Sequence, residues 1–120
     1  MAKNKVAEGK TIDYVNAGSA ISSGDVVVVG NLLGVALVDI ANGETGAVAI
    51  CGVYELPKAS AAVIAQGETI NWDVSAGNVD DNLATPATGD LSGGCVAVDA
   101  AAATTTVVNV ALNVGTNTVT

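Results

Sequence analysis

Three groups of residues in this chain have types and spacings that could support catalysis or ligand binding. They are a glycine-lysine-threonine sequence, a set of acidic residues, and two cysteines. The sequence Gly9-Lys10-Thr11 ends like the phosphate-binding loop G-x-x-x-x-G-K-[ST]. The first glycine of that pattern would stand at position 4, which is Asn4, and the β-prone TIDYV follows where a helix is required. We therefore expect no nucleotide binding by this segment.

Acidic and amide side chains are concentrated in one loop-rich stretch, which raises the question of a calcium site. The residues are Asp73, Asn78, Asp80, Asp81 and Asp90. An EF-hand places oxygen ligands at i, i+2 and i+4 and closes on a glutamate, whereas the stretch from Asp73 lacks the third ligand and the glutamate. Asp80 and Asp81 are adjacent, so on a strand they would point to opposite faces and could not flank one bond as paired catalytic carboxylates do. The pattern is typical of polar turns on a solvated hairpin.

Cys51 and Cys95 are the only cysteines, and the chain has neither histidine nor arginine. Their apolar surroundings predict two buried, reduced thiols, with a disulfide between neighbouring strands as the alternative. Two distant cysteines without histidine do not make a zinc site. The commonest general base and the usual bidentate phosphate clamp are both missing. We expect a protein that is not an enzyme and that uses no metal and no cofactor.

The composition favours a binding or structural role. Half of the 120 residues are apolar, only 13% are charged, and the formal net charge is −8. No basic cluster offers the counterion release that nucleic-acid binding needs, and no apolar run is long enough for a membrane span. An apolar surplus with few charges predicts that part of the surface is buried against other chains. Trp72 and Tyr54, two of the three aromatic residues, are expected to be core or interface anchors.

The lysines are unevenly distributed along the chain. Three of the four, Lys3, Lys5 and Lys10, lie in the first ten residues. We interpret residues 1–10 as a flexible N-terminal arm and residues 11–120 as a single β domain. The arm is either a solvated terminus or a segment that reaches an acidic neighbouring subunit.

Short strands and glycine-centred turns dominate the rest of the sequence. Thr11 to Val15, the β-branched run Val26 to Val29, and Leu32 to Val38 read as strands. Asn42-Gly43 predicts a type I′ hairpin turn, and Gly52 predicts a bulge or bend within a third strand that is formed by Gly46 to Cys51 and Val53 to Leu56.

Further strands are expected over Thr69 to Val74, Cys95 to Asp99 and Thr104 to Val114, followed by a polar tail from Gly115. Lys58 to Ala65 is the one plausible short helix. The predicted fold is all-β, a small barrel or sandwich of roughly seven to nine short strands with one short helical turn.

Four stretches of this pattern carry a resemblance to a known family. GDVVVVG, GVALVDIANGETG, GVYELPKAS and INWD are similar to segments of the small capsid decoration (cement) proteins of tailed bacteriophages, over residues 9–73. The resemblance implies a structural protein of the virion that binds the outer capsid surface, made in the host cytoplasm, with the major capsid protein and further copies of itself as partners. Within that reading we expect a trimer in preference to a dimer, and Lys3, Lys5 and Lys10 are the candidates for contact with the capsid.

Two other classes of function fit the sequence less well. A carbohydrate-binding head or fibre domain would need exposed aromatic residues to stack on sugars, and only three aromatics exist. A hydrolase would need paired carboxylates with suitable spacing, which the acidic stretch does not supply.

Overall fold

The computed structural model describes residues 3–4 and 8–120, and in them the chain forms two antiparallel sheets and no helix. The first sheet has the order β1-β4-β3-β2, and the second has the order β5-β9-β8-β6-β7 with β10 beside β8. The strands of the first sheet are β1 (Thr11–Val15), β2 (Val26–Val29), β3 (Leu32–Ala36) and β4 (Thr45–Ala49). Those of the second are β5 (Val53–Pro57), β6 (Thr69–Asp73), β7 (Asn78–Asp80), β8 (Leu91–Ala97), β9 (Val107–Ala111) and β10 (Thr118–Val119). The predicted all-β sandwich is confirmed.

The main core lies between the two sheets. Leu33 and Val35 of β3 pack there with Leu56, Ile70 and Val110 of the second sheet, and each of these side chains is at most 3% exposed. The core contains one tryptophan and otherwise aliphatic and small side chains, because the sequence offers no phenylalanine. Each such side chain contributes about 1.5 to 3 kcal/mol on burial, less for alanine.

A second, smaller core lies on the other face of the first sheet. It joins Val27, Ala36, Ile40 and Val48, which are between 0 and 6% exposed. The side-chain amide of Asn16, itself buried, donates to the backbone oxygens of Ser19 and Ile40. The first sheet is therefore covered on both faces at its centre.

The chain passes from the first sheet to the second at Gly52. The predicted single strand from Gly46 to Leu56 is wrong, since β4 ends at Ala49, β5 begins at Val53, and the two belong to different sheets. Gly52 has a φ of +109°, a backbone conformation that favours glycine because other residues clash there. Of the two predicted features, a bulge or a bend, the structure has the bend, and it is the point at which the chain crosses between the sheets.

The turn at Asn42-Gly43 forms, but its type differs from the predicted one. Glu44 N–H donates to the oxygen of Ala41, as a four-residue turn requires, and only Gly43 has a positive φ, +82°. A type I′ turn needs positive φ at both central residues, so this turn fits type II. It also lies inside a longer connection, since β3 ends at Ala36 and β4 starts at Thr45.

The helical turn predicted over Lys58 to Ala65 is not formed. Lys58 is only 4% exposed, and its Nζ donates to the backbone oxygens of Ala59 (2.7 Å) and Ala62. Ile64 forms an isolated bridge with Ala101, which lies in the connection between β8 and β9. The lysine side chain satisfies carbonyls that a helix would have paired internally, and the segment makes one turn, closed by Ala62 N–H donating to the oxygen of Ala59, before this bridge.

The C-terminal region is more ordered than the predicted polar tail. β10 pairs with β8 through Thr118 and Ser92, and Asn117 is buried at 3% exposure. Val114, the last residue of the strand predicted over Thr104 to Val114, is 64% exposed because β9 ends at Ala111. Val74, the last residue of the strand predicted over Thr69 to Val74, is likewise 47% exposed beyond the end of β6.

Candidate functional site

The residues that resemble a phosphate-binding loop form the entry to an edge strand. Gly9 adopts a φ of +79°, Lys10 is exposed, and Thr11 begins β1. The backbone oxygen of Lys10 accepts a hydrogen bond from Ile50 N–H at 3.0 Å, which fastens this segment to the first sheet. The backbone here builds a strand and provides no cradle at a helix start.

The acidic stretch uses its carboxylates to hold turns. Asp73 Oδ1 accepts from the N–H groups of Ser75 and Ala76 and from the Ser75 hydroxyl at 2.8 to 3.1 Å. These hydrogen bonds, first that from Ala76 and then that from the Ser75 hydroxyl, lower the pKa of Asp73, because they favour the ionised carboxylate. Asp90 is 6% exposed and accepts from Val74 N–H and Ala87 N–H.

Asp81 accepts from Leu83 N–H and Ala84 N–H in the same way. In the part of the chain that the structure describes, no group of three or more potential metal-ligating side chains occurs. The carboxylates of this stretch thus hold the turn between β6 and β7 and the loop between β7 and β8.

The four lysines have different surroundings. Lys3 and Lys10 are exposed, Lys5 lies outside the described residues, and Lys58 is buried among backbone carbonyls. The expected arm, residues 1–10, is described only at residues 3–4 and 8–10, and its contact with a capsid stays a prediction.

Trp72 and Tyr54, the expected anchors, lie in or beside the main core. Trp72 is 6% exposed and pairs with Val79 and Leu91 on the neighbouring strands. Tyr54 of β5 is half-buried and packs against the same core. Tyr14 is half-buried at the second core, so the three aromatic residues present no open stacking platform for a sugar.

The two cysteines are both free, but the expectation that both are buried is wrong for Cys51. Cys51 is exposed just before the crossing at Gly52, whereas Cys95 is fully buried in β8. Burial raises the pKa of the Cys95 thiol because it disfavours the thiolate.

A maleimide or disulfide reagent should therefore modify one thiol per folded chain, at Cys51, because the thiolate is the reactive form and Cys95 is both shielded and less ionised. Labelling followed by peptide mass mapping checks this, with urea-unfolded protein as the control in which both thiols react. Equal labelling of Cys95 in folded protein would contradict the structure.

A groove opens at the end of the β5–β9 pair, and sequence reasoning did not find it. It has a volume of about 380 Å³. Its walls are Glu55, Asp99, Ala100, Ala101, Ala102, Thr105, Val107, Val108 and Asn109. These residues come from segments more than forty positions apart, so no local pattern signals the groove.

Exposed valines flank this groove. Val53 of β5 is 56% exposed and Val107 of β9 is 45% exposed, and β5 is an edge strand of the second sheet. Other large apolar side chains are also exposed: Val15, Leu37, Val38, Val63, Val74, Leu83, Val114 and Val119. Apolar area of this kind is common on surfaces that bind other proteins.

Fold and surface together describe a small all-β protein in which Asp73, Asp81 and Asp90 support turns and several large apolar side chains are exposed. A family model described as "Phage cement protein" matches residues 6–112 of the chain. The chain belongs to this family, which confirms the resemblance found in the sequence, and its role is to decorate and stabilise a phage capsid. No curated protein matches the chain. Among the described residues, no helix is long and apolar enough to cross a membrane.

Proposed function

We propose that this protein decorates the outer face of a phage head as a homotrimer at local threefold positions, with a dimer at twofold positions as the alternative. The family match over residues 6–112 is the observation that carries the capsid-binding role. The net charge of −8 supports the outer face, because an acidic protein is repelled by packaged DNA on the inside. Synthesis in the cytoplasm of the host belongs to the same proposal.

The proposed mechanism is differential binding without catalysis. A protein that binds the assembled shell better than free capsid subunits stabilises the shell by linkage. An oligomer that spans several subunits adds weak contacts together, so that modest individual contacts give firm attachment. The use of Asp73, Asp81 and Asp90 as turn caps supports the absence of catalysis, since those carboxylates are engaged with backbone N–H groups.

A homo-oligomer is favoured over a monomer because closed symmetry provides a place to bury exposed valines such as Val53 and Val107. Electron microscopy of undecorated heads incubated with purified protein tests the proposal. We expect added density on the outer surface at threefold positions of the lattice. Density at twofold positions would favour the dimer, and heads without added density would contradict the decoration role.

A further inference from the structure

The basic groups of this chain are separated from its acidic groups. Beyond residue 10 the sequence contains eleven Asp and Glu residues and a single lysine, Lys58. That lysine is 4% exposed, and its Nζ is bonded to the oxygens of Ala59 and Ala62. The other three lysines of the sequence, Lys3, Lys5 and Lys10, all lie in the first ten residues.

The groove beside β5 and β9 has the opposite character. It is lined by apolar side chains, here called the floor, of Ala100 to Ala102 with Val107 and Val108, and by two exposed carboxylates, here called the rim, of Glu55 and Asp99. The described residues give Glu55 no side-chain hydrogen bond or ion pair. Asp99 Oδ2 accepts one hydrogen bond, from Asn109 Nδ2 at 2.9 Å, which fixes this carboxylate at the rim.

We infer that this groove binds the N-terminal segment, residues 1–7, of a second copy of the chain. The segment MAKNKVA combines small or apolar residues, which suit the alanine and valine floor, with two lysines, which suit the carboxylates at the rim. The inference rests on the homo-oligomer part of the proposed function. It assigns Lys3 and Lys5 to the neighbouring copy and removes them from direct contact with the capsid.

The reach of the segment is sufficient for such a contact. Ten extended residues span up to about 33 Å, and the shortest extent of the molecule is 23 Å. The segment is anchored where Lys10 meets Ile50, three residues before β5 begins at Val53. Because each copy would give one segment and receive one, the contact can close as a threefold ring or as a twofold dimer with exchanged segments, and both are included in the proposed function.

The chemistry predicts a contact that depends on charge and salt. Exposed ion pairs are individually weak and are screened by salt. The carboxylates of the groove would therefore select the lysine-bearing segment, and the floor would bury the apolar side chains of that segment. Converting both carboxylates to neutral side chains, as in Glu55→Gln with Asp99→Asn, should weaken self-association by roughly three- to tenfold. Reversing both charges, as in Glu55→Lys with Asp99→Lys, should weaken it further, since like charges repel.

Sedimentation equilibrium of the full chain at low salt tests this inference. The matched control is Glu44→Gln with Asp13→Asn, which changes the net charge equally at exposed positions outside the groove. We expect the control to associate like the natural sequence. Combining the groove reversal with Lys3→Glu and Lys5→Glu should restore association, and circular dichroism should show every variant folded.

Three outcomes would overturn the inference: unchanged association of the groove-reversal variant, equal weakening by the control, or no restoration in the combined variant. A natural chain that stays monomeric at all concentrations would overturn it too. Binding of the same variants to undecorated heads is measured separately. If self-association of the variants changes as predicted but the natural sequence does not bind heads, the groove contact stands and the proposed function is wrong.

Discussion

Asn117→Ala should lower the free energy of unfolding by about 3 kcal/mol, because it leaves several polar groups near the sheet junction without partners. Asn117 is 3% exposed, and its Oδ1 accepts from Gly94 N–H at 3.0 Å. Its Nδ2 donates to the oxygens of Asn31 (3.0 Å) and of the Asn113 side chain (3.0 Å). Each buried donor or acceptor left unpaired costs about 1 to 3 kcal/mol.

The expected cost is large because this amide connects the two sheets. Asn31 lies in the turn between β2 and β3, whereas Gly94 lies in the middle of β8. Asn113 extends the same network, since its Nδ2 donates to the oxygens of Leu33 and Ile50 at 2.8 Å and its Oδ1 accepts from Leu33 N–H. The network lies in the break between β9 and β10, where Asn117 bonds Gly94 of β8 and Asn113 bonds Leu33 of β3.

Urea unfolding followed by circular dichroism measures this effect. The matched control is Asn82→Ala, an exposed asparagine whose side chain makes no hydrogen bond in the structure, and it should change the free energy of unfolding by less than about 0.5 kcal/mol. If Asn117→Ala and the control had the same small effect, the network would not hold the sheets together.

Gly34→Ala should cost about 2 kcal/mol of stability because the first sheet has no room for a methyl group at this position. Gly34 lies in β3 and has an ordinary strand conformation, so that only space decides the outcome. An added Cβ would overlap Cγ1 of Val48 and would lie 3.2 Å from the backbone oxygen of Val27. Val48 is fully buried and β-branched, so it has few rotamers with which to move away.

Thermal unfolding compares this variant with Gly18→Ala. Gly18 is exposed, its φ is not in the left-handed region, and the nearest atom to an added Cβ would be Asn16 Oδ1 at 3.8 Å. The control should therefore be near neutral or slightly stabilising, because alanine restricts the unfolded chain. A Gly34→Ala protein that is as stable as the control would contradict the close packing between β3 and β4.

The sequence correctly predicted the strands whose bounds are set by residues that are neighbours along the chain. β1 and β2 have the predicted bounds, Thr11–Val15 and Val26–Val29, because β-branched residues there are enclosed by turn-forming residues. The fold class followed from the same alternation of short strands and glycines. The acidic residues of the 73–90 stretch were also recognised as turn residues, and Asp73 and Asp81 cap turns in the structure.

Features that depend on distant pairs were not predicted. Asn117 lay in an expected polar tail, and its partner Asn31 is 86 positions away. The helix expected over Lys58 to Ala65 does not form, because Lys58 Nζ donates hydrogen bonds to nearby backbone oxygens and Ile64 bridges to Ala101. Family membership could be recognised from the sequence because it rests on contiguous motifs. The groove could not be predicted, because folding brings Glu55 together with residues 99–109.

The central claim is that this protein stabilises a phage head by binding its assembled shell. The most direct measurement is the temperature at which heads release their DNA, recorded by a DNA-binding dye, for undecorated heads with and without added purified protein. We expect the release temperature to rise with protein concentration and to level off when the binding positions are full. An unchanged release temperature at concentrations that saturate the heads would contradict the claim.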